Sequence, residues 1–261
     1  ESGVKAVDIS ADFRLKDASE YEEWYGVPHP RSSLLEESVY GLTELNRNDI
    51  SESSLIANPG CYPTGAILAL APAIQAGIIT EDVIIDSKSG VSGAGRGLSL
   101  NTHYSEVNEN VSAYSVSGHR HLPEITQELG RVRSDFQPRV TFLPHLIPMT
   151  RGILSSCYVS LLDGSIPTGQ SGIDEVQSLY REFYKDEPFI RVVSSSPMTK
   201  HTLGNNNCVI YPTVDLRTNR LMVISCIDNL VKGAAGQAIQ NMNLMLGLPE
   251  TQSLEQLALY P

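Results

Sequence analysis

The sequence is short of cysteine, of positive charge and of long apolar runs, and each shortage excludes a kind of protein. Four cysteines in 261 residues, none in a CxxC pair, argue against a disulfide framework and against a zinc cluster. Nineteen lysines and arginines stand against 30 aspartates and glutamates, so the net charge is −11 and the pI is near 5.0. This charge repels nucleic acid and anionic lipid surfaces, and neither is predicted as a partner.

The apolar content is nevertheless ample for a folded core. Hydrophobic side chains make up 41% of the chain, which excludes a disordered protein. The longest apolar stretches, such as residues 66–74, contain Pro72 and fall short of the roughly 20 residues that a membrane span needs. No apolar signal region begins the chain. We therefore expect a globular protein of the reducing cytoplasm.

The start of the chain is unusual. The first residue is Glu1 rather than Met, and residues 4–9 already have the apolar, β-branched content of a buried strand. We therefore expect the numbering to begin partway into a longer protein.

The first half of the chain alternates short strands with helical segments, as α/β domains do. Strands are predicted at residues 4–9, 55–57 and 83–87. Residues 58–64 form a turn, and residues 65–77 form a helix that is apolar on nearly every side. Such a helix must be buried.

The second half favours a mixed, largely antiparallel sheet. Thr218-Asn219 is typical of a hairpin turn, and a polar helix is predicted at residues 170–185. A final helix over residues 231–246 carries small residues on its first turns, which allows close approach of another element. The predicted strands are residues 139–147, 152–162, 208–216 and 221–227.

Cys61 is the sharpest chemical signal. It stands between a short strand and the buried helix, after the tight turn Pro59-Gly60 and before Pro63. The unpaired N–H groups and the dipole of the helix N-terminus favour thiolate over thiol, so we predict an activated nucleophile. Ordinary cysteines are small buried hydrophobes, and that interpretation is kept for the strand residues Cys157, Cys208 and Cys226.

A nucleophilic cysteine needs a partner that moves protons, and the pair His119 and His121 is the best placed of the six histidines. We assign this role to His119. Glu124 opens an apparent helix, where a structural role as an N-terminal acid and a role in the site are equally supported. A zinc site through these three residues is not predicted, because their spacing has no fixed geometry and no fourth ligand is evident.

The loop over residues 89–97 is rich in glycine but lacks the G-x-G-x-x-G spacing of the dinucleotide fingerprint. Its free backbone N–H groups beside Arg96 suit a phosphate or a nicotinamide carboxamide. A surface loop without a ligand is the alternative. The sequence alone does not decide between them.

Several strings in this order resemble the N-acetyl-γ-glutamyl-phosphate reductase family, which is related to aspartate-semialdehyde dehydrogenase. The most specific is Asn-Pro-Gly-Cys-Tyr-Pro-Thr at residues 58–64. The others are residues 8–14, 40–42, 89–96, 119–121, 144–149, 151–154 and 228–235. Family members begin with a Rossmann segment bearing a glycine fingerprint, and this chain has no such segment.

The resemblance implies an NADPH-dependent reduction of an acyl phosphate to a semialdehyde in arginine biosynthesis. Cys61 would attack the acyl phosphate and form a thioester, hydride from NADPH would reduce it, and His119 would carry the protons. The expected fold is α/β. It comprises the remainder of a Rossmann-like domain (residues 1–57), an α+β catalytic and dimerisation domain (58–227) and a C-terminal helix that returns to the first domain (228–261).

The resemblance also implies binding residues and partners. Substrate contacts are expected from Arg96, Arg120, Arg151 and Glu124, and cofactor contacts from Ser89, Gly90, Ser92, Gly93 and Asn229. On its own, Asn229 is better explained as the cap of the last helix, and the two roles are compatible. A homodimer or homotetramer is expected. Two other functions stay open: a reductase of carrier-bound aminoadipyl phosphate in lysine biosynthesis, and a folded core unable to bind NADPH.

Overall fold

The structure is a computed structural model that describes residues 3–260. Predictions that involve residues 1, 2 and 261 therefore lie outside the described residues. The fold contains two sheets, and the prediction of an α/β fold with a mixed sheet is confirmed.

The first sheet has three parallel strands in the order β1-β3-β2. A strand does form within residues 4–9, but it is shorter than predicted and it is not buried. It comprises Ala6–Asp8, and Val4 and Ile9 on either side of it are 70% and 52% exposed. Strand β1 lies at the edge of the sheet and pairs with β3 alone. The elements of this part are β1 (Ala6–Asp8), α1 (Ser19–Tyr25), α2 (Ser33–Glu37), β2 (Val39–Tyr40), α3 (Thr43–Glu52) and β3 (Leu55–Ala57).

Helix α4 (Cys61–Gln75) is the centre of the molecule. Every residue from Tyr62 to Ile74 is buried, as its apolar composition predicts. The helix begins four residues before the predicted start. This places Cys61 in its first turn, directly after the extended residue Gly60.

The second sheet has seven strands in the order β5-β6-β4-β7-β10-β9-β8. The pairs β4–β6 and β8–β9 are parallel and the other four are antiparallel. Its strands are β4 (Ile79–Gly90), β5 (Ser112–Ala113), β6 (Arg139–Ile147), β7 (Ile153–Leu161), β8 (Ile190–Val192), β9 (Cys208–Asp215) and β10 (Arg220–Ile227). The hairpin between β9 and β10 turns at Asn219, whose φ of 50° fits the predicted turn.

One face of this sheet carries the main core. Helices α4, α6 (His121–Val132) and α7 (Gln170–Phe183) pack there over buried residues such as Val83, Cys157 and Val223. The short helix α5 (Tyr104–Val107) precedes β5. The opposite face carries Ile84, Tyr158 and Met222, which are only partly buried or exposed.

The last helical segment differs from the prediction of one helix over residues 231–246. Residues Val231–Ala235 form a π-helical turn, and α8 (Gly236–Met245) follows it. Helix α8 packs against α3 and β1, where Met245 is buried with Ile50 and Ile56. Among residues 3–260, no helix combines the length and apolarity that a membrane crossing requires.

Candidate active site at the N-terminus of the buried helix

Cys61 is the accessible cysteine of the chain. It is free and partly buried, whereas Cys157, Cys208 and Cys226 are free and fully buried inside β7, β9 and β10. Burial raises the pKa of Cys157 and of Cys226 to about 12, so these thiols are inert at neutral pH. Cys61 is therefore the candidate nucleophile on structural grounds as well.

The fold acts on the pKa of the Cys61 thiol in two opposite directions. Burial raises its pKa to about 11, although Arg14 and the N–H groups at the start of α4 act in the opposite direction. The helix N-terminus is thus present, as predicted, but burial outweighs it. A proton acceptor beside the sulfur is consequently needed.

His121 lies against the turn that carries Cys61. A Cβ atom at Gly60 would be 2.6 Å from Nε2 of His121, so only glycine leaves room for the ring. Burial lowers the pKa of His121 well below its usual value, with help from His119, Arg14 and Arg120. Nδ1 is buried and has no hydrogen-bond partner within residues 3–260. The lowered pKa favours the neutral form of this ring.

His119 forms the next layer of the site. Its ring centre is 4.8 Å from that of His121, and its Nδ1 accepts a hydrogen bond from the His121 amide at 3.0 Å. Burial, followed by the charge of Arg120, lowers the pKa of His119 to about 4. The rings of Tyr62 and Tyr114 pack edge-on against His119, and the two tyrosine hydroxyls are 2.9 Å apart. The structure therefore brings both histidines to the cysteine turn, with His121 in contact with Gly60.

Glu124 is fully buried and braces this turn. Its Oε1 accepts hydrogen bonds of 2.7 Å from the Gly60 amide and from the Tyr40 hydroxyl. Its Oε2 is 3.5 Å from the guanidinium of Arg14. This geometry favours the structural one of the two roles predicted for Glu124, although the carboxylate serves the turn before α4 rather than its own helix.

Arg14 has no role in the sequence-based prediction, yet it is buried beside the cysteine turn. Nε donates to the Asn58 carbonyl at 2.7 Å and Nη2 to the Ile9 carbonyl at 3.0 Å. The available signal was its position shortly after β1, since ligand sites of α/β sheets lie at the C-terminal ends of strands. Arg14 is the cation that partly offsets the burial of Cys61.

The three predicted substrate arginines are spread out. Arg120 is exposed and lies over the ring of Tyr25 at 5.7 Å. Arg151 is partly exposed, 3.7 Å from the buried carboxylate of Asp228. Arg96 is exposed on its loop and has no ion-pair or hydrogen-bond partner in the part of the chain that the structure describes. Of the three, Arg120 is nearest to the histidines in sequence, and its charge lowers the pKa of both His119 and His121.

The predicted cofactor residues cluster around Asn229. Its Oδ1 accepts the Gly152 amide at 2.8 Å, and its Nδ2 donates to the Ser92 hydroxyl at 2.9 Å. A Cβ atom at Gly93 would lie 3.1 Å from Ser89 Oγ and 3.6 Å from Asn229 Nδ2. The loop and the Asn229 turn are thus in direct contact.

The prediction that Asn229 caps the last helix is wrong. Asp228 does so instead, because its Oδ1 accepts the amides of Leu230 and Val231 at 2.8 and 3.2 Å. Both polar atoms of the Asn229 amide are engaged elsewhere.

The small residues predicted to allow close approach do so at Cys61. A Cβ atom at Gly233 would lie 2.9 Å from Cys61 Cβ. The π-helical turn therefore forms the wall behind the nucleophile. No group of three or more His, Cys, Asp or Glu side chains suited to a metal occurs among the described residues.

The chain is similar to known proteins in sequence and in fold. The family model "semialdehyde dehydrogenase, dimerisation domain" matches residues 61–229. The chain is 56% identical over its full length to N-acetyl-γ-glutamyl-phosphate reductase of Dehalococcoides mccartyi, of which it covers 75%. It is 55% identical over 99% of its length to the enzyme of that name from Pelotomaculum thermopropionicum, of which it covers 74%.

The fold is similar to that of a solved structure, aspartate semialdehyde dehydrogenase II from Vibrio cholerae. The TM-score is 0.62 at 17% identity, over 81% of this chain and 69% of the other. At this identity the similarity concerns the fold alone.

Proposed function

Because this chain belongs to the family of N-acetyl-γ-glutamyl-phosphate reductases, oxidoreductases of arginine biosynthesis, we infer that it converts N-acetyl-γ-glutamyl phosphate to N-acetylglutamate semialdehyde and phosphate. The observation that carries this proposal is the placement of Cys61. It combines a helix N-terminus, a neutral imidazole at the same turn and a buried arginine.

We propose that the sulfur of Cys61 attacks the γ-acyl carbon. A C–S bond forms, the bond from that carbon to the phosphate oxygen breaks, and phosphate leaves with the electron pair. The product is a thioester, which accepts hydride far more readily than a carboxylate does. Collapse of the reduced adduct then releases the aldehyde and restores the sulfur as leaving group.

The raised pKa of Cys61 makes proton transfer part of the attack. A neutral imidazole accepts the thiol proton as the C–S bond forms, and His121 is the ring in contact with the cysteine turn. This assignment replaces His119, the choice made from sequence. His119 packs behind His121 and accepts its amide N–H, so we assign it a supporting role.

NADPH, when bound, supplies the hydride for this reduction. The residues present fit a nicotinamide: Asn229 Nδ2 has one N–H left after its bond to Ser92, and the exposed glycines Gly95 and Gly97 have open space where side chains would be. We propose Ser92, Gly93 and Asn229 as its contacts. Ser89 and Gly90 are buried, so they support the loop from beneath.

The substrate carries negative charge, and a chain of net charge −11 must provide a locally positive site. Arg14 is the charge that acts most strongly on Cys61, and we add it to Arg120 as a group that stabilises the acyl phosphate. Arg151 and Arg96 remain proposals for the outer part of the site. Glu124 is proposed to orient the Gly60 amide rather than to contact substrate.

We also propose that a second copy of the chain covers the open face of the seven-stranded sheet. That face exposes Ile84 and carries Tyr158 and Met222 in neighbouring strands. Apolar side chains on an uncovered sheet face are typical of protein interfaces. The family model that matches this region is described as a dimerisation domain.

The test is a single-turnover experiment with the complete gene product. In the absence of NADPH, N-acetyl-γ-glutamyl phosphate should release one phosphate per active Cys61, because thioester formation precedes reduction. NADPH should then give turnover. The Cys61→Ser variant should show neither, and a wild-type phosphate burst in that variant would refute the cysteine mechanism. Activity only on carrier-bound aminoadipyl phosphate would shift the substrate assignment.

The two histidines are separated by parallel variants. His121→Ala should lower kcat by about 10²–10⁴-fold, the range of a positioned acid or base. His119→Ala should be milder. The reverse order would return the proton-transfer role to His119.

A further inference from the structure

Lys232 is a buried cation that the proposed chemistry does not use. Its side chain is fully buried, and Nζ donates to Oε1 of Glu44 at 2.6 Å and to Oε1 of Gln240 at 2.7 Å. Glu44 is likewise buried. Taking two charges out of water is costly, and such a pair is weak evidence for stability as its purpose. A role in geometry is the stronger explanation.

The ammonium group fixes one turn of the chain from two sides. Glu44 lies on α3 and Gln240 on α8, while Lys232 itself belongs to the π-helical turn Val231–Ala235. In this turn the amides of Gly233 and Ala235 donate to carbonyls five residues back, at 2.9 and 3.1 Å. Such π turns are rare and need support from their surroundings.

The same turn is in contact with the nucleophile. A Cβ atom at Gly233 would be 2.9 Å from Cys61 Cβ, so the backbone of Gly233 lies directly against Cys61. The next carbonyl, that of Ala234, accepts a hydrogen bond of 3.1 Å from Asn58 in the segment before Cys61. Any retreat of the turn would therefore uncover Cys61 and release Asn58.

We propose that the Lys232–Glu44 pair is a positioning device for Cys61: it holds the π-helical turn against the cysteine and so sets the burial and orientation of the thiol. The proposal deepens the reductase mechanism and rests on it for the effect on kcat. Its effect on the thiol itself is independent of substrate and cofactor.

The test compares variants of the complete gene product by alkylation of Cys61 with iodoacetamide, followed by mass spectrometry over a pH series. The primary variants are Lys232→Met and the double change Lys232→Met/Glu44→Gln, which leaves no unpaired buried charge. When the π-helical turn is no longer held against Cys61, the thiol is less buried and its apparent pKa falls. Alkylation of Cys61 should accelerate several-fold while Cys157, Cys208 and Cys226 stay protected.

Steady-state kinetics should show slower catalysis in the variants whose Cys61 is alkylated faster. We expect kcat to fall by about tenfold or more, with KM for the acyl phosphate little changed, because orientation is lost and binding is not. The matched control is Arg47→Gln. Arg47 binds Glu187 and Glu250 at the outer end of the same polar network, so its loss should affect stability without changing Cys61 reactivity.

An unchanged alkylation profile in a folded double variant would overturn the proposal, as would an equal change in Arg47→Gln. If neither primary variant folds, Gln240→Leu removes one acceptor of Lys232 without isolating a charge, and the same predictions apply to it. If alkylation of Cys61 changes in the variants while the wild-type protein itself does not reduce the acyl phosphate, the positioning role is upheld and the proposed reaction is refuted.

Discussion

At the scale of single residues, two opposing effects set the pKa of Cys61 and hence its reactivity: burial and the polar groups beside the thiol. The helix N-terminus and Arg14 favour the thiolate, while burial favours the thiol and raises the pKa to about 11. The activation that the substrate requires therefore comes from a base at the moment of attack. This is consistent with a neutral His121 at the same turn.

The raised pKa predicts how Cys61 reacts with iodoacetamide. Between pH 7 and pH 10 the rate should rise by about tenfold per pH unit, because the thiolate fraction does so below the pKa. Cys157, Cys208 and Cys226 should stay unlabelled in the native protein. Quantitative mass spectrometry of the four peptides measures both. A rate that is flat above pH 7 would show that a thiolate already exists at rest.

The lowered pKa of His119 predicts that the protein loses stability as the pH falls. Its folded pKa of about 4 lies below the ~6.5 of an unfolded histidine, so between these values only the unfolded chain binds the proton. Stability from this group is complete above about pH 6.5 and falls as the pH drops toward 4. In urea titrations, His119→Asn should reduce the loss between pH 7 and pH 5 by about 1–2 kcal/mol. An unchanged difference would contradict the shift.

At the scale of elements, the turn that follows β10 shows two adjacent polar residues with separate tasks. Asp228 caps the chain that enters the π turn, and Asn229 ties the Gly152 turn to the Ser92 loop. Both side chains are buried, so their conformations are restricted. The cofactor loop is therefore held in place by a side chain from a different part of the chain.

Asn229→Asp should consequently destabilise the protein. It keeps the acceptor for the Gly152 amide but removes the donor to Ser92 and buries a charge, at a cost of about 1–3 kcal/mol. KM for NADPH should rise as well. Denaturant titration and steady-state kinetics test the two effects, and Ser92→Ala, which deletes only the partner hydroxyl, is the control. A fully stable variant would show that the Ser92 contact is dispensable.

Helix α6 carries a carboxyl group with the opposite pH dependence. Burial raises the pKa of Glu128 to about 7, although Arg131 and Gln127 oppose the rise. The folded chain thus holds the proton more tightly, and stability is complete below about pH 4.5 and lost as the pH rises through 7. Glu128→Gln should stabilise the protein by about 1–3 kcal/mol more at pH 8 than at pH 5. Thermal melts measure this, with the exposed Glu37→Gln as control; equal effects at both pH values would contradict it.

At the scale of the whole molecule, the seven-stranded sheet separates two environments. One face packs on α4, α6 and α7, and the other is proposed to face a second copy. A cation placed on the open face should oppose this association, because it must be desolvated on burial. Sedimentation velocity should show a smaller assembly for Ile84→Arg. Leu257→Arg, which changes an 87% exposed leucine outside the sheets, should leave the mass unchanged; a loss of assembly in both would indicate general destabilisation.

Much of the fold follows from local patterns. The apolar run after Cys61 predicts the buried helix, and the alternating strands of the second half predict the mixed sheet, because apolar composition and a period of two report burial directly. The exposed β1 is the exception. Its composition is that of a buried strand, but a strand's place in the sheet order is set by its neighbours and not by its own residues.

The sequence by itself determined which residue types stand near the nucleophile: the turn before Cys61, the two histidines and the glycine loop are all contiguous motifs. Tertiary structure alone decided what they do. The pKa of Cys61, the contact of His121 with Gly60, and the bond from Gly60 to Glu124, 64 residues away, depend on which surfaces the fold brings together. Burial and long-range hydrogen bonds are properties of that assembly, and they outweigh the local helix dipole.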